Sequence, residues 1–160
     1  MLTVGEKFPA FTLQGINSNN EFVEVGMRDD EQPMPWQVIY FYPKDFTFIC
    51  PTEIAGMDAL TSDATVSGIS GDNELIGQIS HTLAADCGLG LSNVLGIVNE
   101  SEGVCYRATF IVDPHRTIQH VSVNALDTGR NANEVLRTLK ALQAGGLTGC
   151  AWDEGDEFVG

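Results

Sequence analysis

FYPKDFTFICP, residues 41–51, closes an apolar run with a polar loop that delivers one cysteine, Cys50. Just upstream, VIYFY (38–42) has the length and composition of a strand buried on both faces. Downstream, CPTEIAGMDAL (50–60) opens as a helix with Pro51 at its first position, where a missing N–H is no loss. Cys50 is thereby expected at the positive end of a helix. A thiol attacks only as its thiolate, which hydrogen-bond donors, a nearby cation or a helix N-terminus hold in place. The segment can supply two of those three.

Working outward, short strand patterns alternate with helical ones, which predicts an α/β layer architecture with a mixed central sheet flanked by helices. ATVSGIS (64–70), ATFIVD (108–113) and IQHVSV (118–123) read as the other strands. The last two are joined by Pro114-His115-Arg116-Thr117, a connection short enough for an antiparallel hairpin. Residues 131–143 form the clearest helix: Val135, Leu136, Leu139 and Leu142 share a stripe, and Asn131 with Glu134 is a candidate capping box. Residues 144–149 (AGGLTG) are the linker-like stretch. The reading divides the chain into one domain, 1–144, and a mobile tail, 145–160.

A 160-residue chain with 43% hydrophobic residues suits one domain with a sizeable core. No run of 18 apolar residues suggests a membrane span, and the first residues lack a signal peptide's basic and apolar regions, so a cytoplasmic protein is expected. Twenty-two acidic against eight basic residues give a formal charge of −14, which disfavours nucleic acid and anionic bilayers as partners. The four cysteines lack the spacing of a disulfide framework and are read as one or two redox thiols plus bystanders. With three histidines and no paired ligand spacing, neither a metal site nor a cofactor is expected.

The spacing Pro43, Thr47, Cys50 is P-x-x-x-T-x-x-C, and PKDFTFICPTEI resembles the alkyl hydroperoxide reductase C branch of the peroxiredoxins. VGEKFPAFTL (4–13), SGISGDNE (67–74), YRATFIVDP (106–114), GRNANEVLRTLKALQ (129–143) and CAWDEGD (150–156) follow in family order. The resemblance implies a thioredoxin-like fold and a thiol-dependent peroxidase acting on hydrogen peroxide and organic hydroperoxides. Its partners would be a peroxide, a thiol reductant protein and further copies of itself, as a homodimer or a ring of dimers. Between Glu53 and Gly96 the chain falls short of the family pattern by much of a helix, a further helix and a strand. Two readings stand, a genuine shortening or internal loops missing from the sequence. The second is expected, since losing a helix and a strand would uncover the sheet and the seams at 60–64 and 75–82 carry no turn signal.

The resemblance assigns roles by position. Cys50 is the peroxidatic cysteine, Thr47 offers its hydroxyl to peroxide and thiolate, and Pro43 shields the site. Arg107, in YRATF, is the cation that holds thiolate and peroxide together, and Glu53 and Arg130 orient it. The residues bear independently on two of these. A cysteine between a polar loop and a helix start is badly placed to be an inert core residue, and a charge between Tyr106 and ATFIV needs a reason to be there. Cys105 shares the strand face of Arg107 but reads as buried, and Cys87 reads as structural.

Relatives of the two-cysteine type carry the resolving cysteine four residues before a C-terminal tryptophan, where this chain has Thr148; Cys150 lies two before Trp152. Cys150 is the expected resolver, through a disulfide between subunits. A one-cysteine peroxidase reduced by an external thiol is one alternative, and a holdase or ring-forming structural protein is another. A thioredoxin-type disulfide reductase is disfavoured, because Glu53 stands where a C-x-x-C motif needs its second cysteine.

Overall fold

An N-terminal hairpin of β1 (Phe11–Ile16) and β2 (Phe22–Met27) leads to β3 (Gln37–Phe41), whose apolar run was read from the sequence. The structure, a computed structural model, describes residues 1–30, 32–44, 49–70 and 79–160. After β3 come α1 (Cys50–Met57), a 3-10 helix (Asp58–Ser62), β4 (Thr65–Ser70) and β5 (Thr82–Ala85). The chain continues through α2 (Gly90–Leu95), a small ladder of β6 (Val98–Asn99) and β7 (Val104–Cys105), β8 (Arg107–Val112), β9 (Ile118–Asn124) and α3 (Ala132–Ala144).

Seven strands, in the order β2-β1-β5-β4-β3-β8-β9, form one mixed sheet among the described residues. β3 pairs parallel with β4 and antiparallel with β8, and β8 pairs antiparallel with β9 across the predicted short turn. Period-two alternation along β3 divides the core. Val38 and Tyr40 join Cys50, Ile54, Met57, Val135 and Leu139 beneath α1 and α3. Ile39 and Phe41 join Phe8, Phe110, Leu91 and Leu95 on the other face. Two aromatic residues on adjacent strands, Phe41 and Phe110, meet edge to face with ring centroids 6.0 Å apart.

Several expectations change here. The strand thought missing after β4 is present as β5, parallel to β4 and antiparallel to β1, so the sheet stays continuous. At the seam 60–64 the 3-10 helix ends with the N–H groups of Asp63 and Ala64 both donating to the Leu60 carbonyl, a turn that no glycine or proline announces. Much of the second seam, 75–82, lies outside the described residues. Asn131 caps α3 by accepting from the Asn133 N–H at 3.0 Å, but the expected capping box does not close. The Glu134 carboxylate turns instead to the Arg137 guanidinium, a charged and therefore stronger partner.

Candidate active site

The site is built where β3, α1 and β8 converge. Pro51 occupies the first turn of α1, as its fixed φ favours, and the short helix starts without a side-chain cap. Cys50 at its head is fully buried. Arg107, the first residue of β8, is 3% exposed and reaches across to it, with Nη1 3.2 Å from Cys50 Sγ. The same nitrogen donates to Glu53 Oε2 at 2.8 Å, and Nε donates to the Leu126 carbonyl at 2.8 Å. One helical turn separates Cys50 from Glu53, so α1 aims both at one guanidinium.

Arg130, in the loop before α3, completes the cluster. Its Nε and Nη2 donate to Glu53 Oε1 and Oε2 at 3.0 and 2.9 Å, and its backbone N–H adds a third bond to Oε1 at 2.8 Å. Nη1 reaches the Ala108 carbonyl at 2.8 Å. Burial alone would raise the Glu53 pKa, but the hydrogen bonds and charge of Arg130, with the charge of Arg107, outweigh it and hold the carboxyl below its usual range. Two buried arginines and one carboxylate leave one uncompensated positive charge beside the Cys50 sulfur.

Pro43 lines an open cleft of about 260 Å³ with Lys44, Ile49, Glu102, Val104, Arg107 and Leu126. Arg107 thus borders this cleft, whereas the fully buried Cys50 does not line it. Thr47 lies outside the described residues. Cys105 is buried as read, donates from Sγ to the Tyr42 carbonyl at 3.2 Å, and has its thiol pushed up to about 12 by burial. Cys87, expected to be structural, is exposed on the turn after β5, because the neighbouring Asp86 takes the inward position and caps α2 through Leu91 and Ser92.

Cys150 is exposed and free, as no disulfide joins it to Cys50. Around it the tail packs on itself. Trp152 is 5% exposed, stacks on Phe158 and donates from Nε1 to the Asp156 carbonyl at 3.1 Å. Arg137 of α3 donates to the Trp152 carbonyl at 2.8 Å. The structure therefore gathers Cys50, Glu53, Arg107 and Arg130, sets Pro43 at the rim and leaves Cys150 apart.

Sequence reasoning missed the Leu126 and Ala108 carbonyls, which anchor the arginines and carry no residue-type signal. It also missed Tyr40, whose ring lies under Arg130 with 5.1 Å from Cζ to its centroid. A hydroxyl inside an otherwise apolar strand was the available clue. Among the described residues, no helix is long and apolar enough to cross a membrane.

Comparison with known proteins gives consistent matches. Residues 4–121 match the model of the AhpC/TSA family. The chain is similar to alkyl hydroperoxide reductase C of Mycolicibacterium smegmatis, 38% identical over 186 residues, covering 99% of this chain and 94% of that protein. Its counterpart in Mycobacterium tuberculosis is 39% identical, covering 98% and 92%. Since the first alignment is longer than this chain, the relative carries residues that are absent here. Among solved structures, a reduced 2-Cys peroxiredoxin of Plasmodium vivax superposes with a TM-score of 0.89 at 28% identity, covering 98% of this chain and 92% of that one. Mycobacterium tuberculosis AhpC superposes at 0.80 with 38% identity, covering 94% and 97%.

Proposed function

Because the chain belongs to the AhpC/TSA family of peroxiredoxins, thiol-dependent peroxidases, we propose that its peroxide chemistry runs through Cys50 and is completed by Cys150. The observation that carries this reading is the 3.2 Å contact from Arg107 Nη1 to Cys50 Sγ, inside a buried cluster one negative charge short of neutrality. Cys50 sulfur attacks one peroxide oxygen. An S–O bond forms, the O–O bond breaks, and its electron pair leaves on the distal oxygen, which takes a proton and departs as water or alcohol. Cys50 is oxidised to sulfenic acid. Arg107 faces both the thiolate and the cleft, so the charge that holds the first also meets the developing charge on the second. The family resemblance assigns Thr47 to offer its hydroxyl to the peroxide and Pro43 to shield the site, and Glu53 with Arg130 keeps the Arg107 fork in register.

The Cys150 thiol of a partner subunit then attacks the sulfenic sulfur, forming the disulfide and releasing water, and an external thiol reductant closes the cycle. Residues 145–160 act as the mobile arm, which has to leave the packing around Trp152. A second reading is favoured by that packing, and by Thr148 in the usual resolver position: a one-cysteine enzyme whose sulfenic acid is reduced directly by an external thiol. Intact-mass analysis of wild type, Cys50→Ser and Cys150→Ser after one equivalent of peroxide, with and without reductant, tests both. Disulfide-linked dimer in wild type and stable sulfenic acid in Cys150→Ser support the first reading. Sulfenic acid in both supports the second, and oxidation that persists in Cys50→Ser at wild-type rate overturns the pair.

A further inference from the structure

Tyr40, next to last in β3, is fully buried, and its hydroxyl lies 2.6 Å from His81 Nε2. On the far side of the imidazole, Nδ1 lies 2.6 Å from Asp58 Oδ1. The same carboxylate oxygen accepts the backbone N–H groups of Ser80 and His81 at 2.8 and 3.2 Å, so it acts as an acceptor throughout. Nδ1 therefore carries the imidazole proton, and Nε2 is left to accept the Tyr40 O–H. The row Tyr40, His81, Asp58 is a directed hydrogen-bond chain whose first two members are essentially dry.

The ring of Tyr40 carries this row to the catalytic cluster. Arg130 spends its in-plane donors on Glu53, the Ala108 carbonyl and Thr109 Oγ1, so those partners fix the guanidinium within its own plane. They leave tilt out of the plane open, and there the Tyr40 face closes the site at 5.1 Å. A phenol that donates its proton to imidazole gains electron density in its ring and holds a cation more strongly. On the reading of Cys50 as the peroxidatic cysteine, we infer that Tyr40 is a positioning residue for the Cys50 site, its ring locking Arg130 and its hydroxyl locked by His81 and Asp58.

The order of action is Asp58, His81, Tyr40, Arg130, Glu53, Arg107, Cys50, each link a contact given above. It makes His81, just before β5, and Asp58, at the start of the 3-10 helix, supports of the site.

The test combines peroxide-consumption rates with a readout that needs no activity, the side-chain Nε–H resonance of Arg130 and its exchange with solvent. Tyr40→Leu should lower the second-order rate constant about three- to thirtyfold, the range of one desolvated cation–π contact. Tyr40→Phe, which keeps the ring, should lose less, and His81→Gln, which keeps an acceptor for the hydroxyl, should be milder than His81→Leu. In an Arg130→Lys background the Tyr40→Leu loss should shrink below about twofold, because contacting residues are non-additive. The Arg130 Nε–H should exchange faster in Tyr40→Leu and His81→Leu. Unchanged Arg130 exchange in Tyr40→Leu and His81→Leu, or a fully additive Tyr40/Arg130 cycle, overturns the inference. If Tyr40→Leu does not fold, Tyr40→Phe and the His81 pair decide. If the wild type consumes no peroxide, the peroxidase reading has failed and Arg130 exchange alone decides the positioning role.

Discussion

Glu53 and Arg130 meet fork to fork, Nε on Oε1 at 3.0 Å and Nη2 on Oε2 at 2.9 Å, with side chains only 2% and 3% exposed. The pair links α1 to the start of α3 and presents a fully used carboxylate to Arg107. Removing the carboxylate leaves two buried guanidinium groups facing each other. Glu53→Ala should therefore cost about 3–5 kcal/mol of stability, as for other broken buried ion pairs. Glu53→Gln, which keeps shape and one acceptor, should cost less. Urea unfolding of the two variants at pH 7 checks the ranking, and equal midpoints for Glu53→Ala and wild type would refute it.

The same carboxylate sets an acid limb. Its folded pKa is depressed, so its stabilising effect is complete above the ordinary glutamate value and is lost as pH falls through the folded one. His81 and His120 add a limb at higher pH. Burial lowers both, against the pull of Asp58 and Glu134 respectively, so the unfolded chain binds more protons than the folded one below the ordinary histidine value. Stability should thus begin to fall between about pH 6.5 and 5 and fall again in stronger acid. His81→Gln with His120→Gln should flatten the first limb and leave the second. A thermal midpoint that is flat from pH 7 to 5 in the wild type would contradict this.

Arg107 is expected to govern how fast Cys50 reacts. Arg107→Ala removes the contact to Sγ and, on the proposed mechanism, the one to the incoming peroxide, and should slow both iodoacetamide alkylation and peroxide reduction at pH 7. Charged hydrogen bonds contribute about 1.5–3 kcal/mol each, so a loss of at least about tenfold is expected. Arg107→Lys should restore little, because a point charge cannot serve Sγ, Glu53 and the Leu126 carbonyl together. Alkylation of Cys50 at the wild-type rate in Arg107→Ala would remove the arginine from its assigned role.

Labelling separates the four thiols. Cys105 is buried, hydrogen-bonded to the Tyr42 carbonyl and raised to about 12, so it should stay unlabelled and unoxidised at pH 8. Exposed Cys87 and Cys150 should label at once. The sign for Cys105 is opposite to that of Glu53. Its stabilising effect is whole below the ordinary cysteine value and fades as pH rises toward 12. Peptide mapping after a short iodoacetamide pulse decides, and modified Cys105 in folded protein would show that its strand opens.

How far the sequence speaks depends on which groups carry the information. Residue types with one physical use were legible: Pro51 opening a helix, a charge at Arg107 within an apolar strand, and the stripe of α3. The hairpin β1–β2 was not, because Gly15 and Gly26 interrupt the side-chain alternation that FTLQGI and FVEVGM otherwise keep. β5 was not either, since four residues, TLAA, are too few to show a period. Cys87 was misplaced because a cysteine's burial is decided by its neighbours, here by Asp86 turning inward to cap α2. Tyr40 reads from sequence as core aromatic surface. Its hydroxyl gains meaning only when the fold brings His81, 41 positions away, to within 2.6 Å.

The final expectation concerns the passage from sulfenic acid to disulfide. A disulfide needs Cα atoms within about 7 Å of each other, whereas Cys50 is fully buried at the head of α1 and Cys150 lies in a tail packed around Trp152. Both ends must move. The first turn of α1 has to unwind, breaking the Thr52 hydroxyl bond to the Ile49 carbonyl, and the tail has to release the Trp152 carbonyl from Arg137. Amides of 50–57 and 150–159 should therefore exchange faster in peroxide-treated than in reduced protein. Arg137→Ala, which loosens the tail without touching the Cys50 cluster, should speed disulfide formation and leave the sulfenic acid step unchanged. If, as proposed, a twofold dimer pairs each Cys50 with its partner's Cys150, non-reducing gels should show a dimer band that Cys150→Ser abolishes. Oxidised protein that runs as a monomer, with Cys150→Ser turning over on a small thiol as fast as wild type, would mean that Thr148 marks a chain that dispenses with a resolving cysteine.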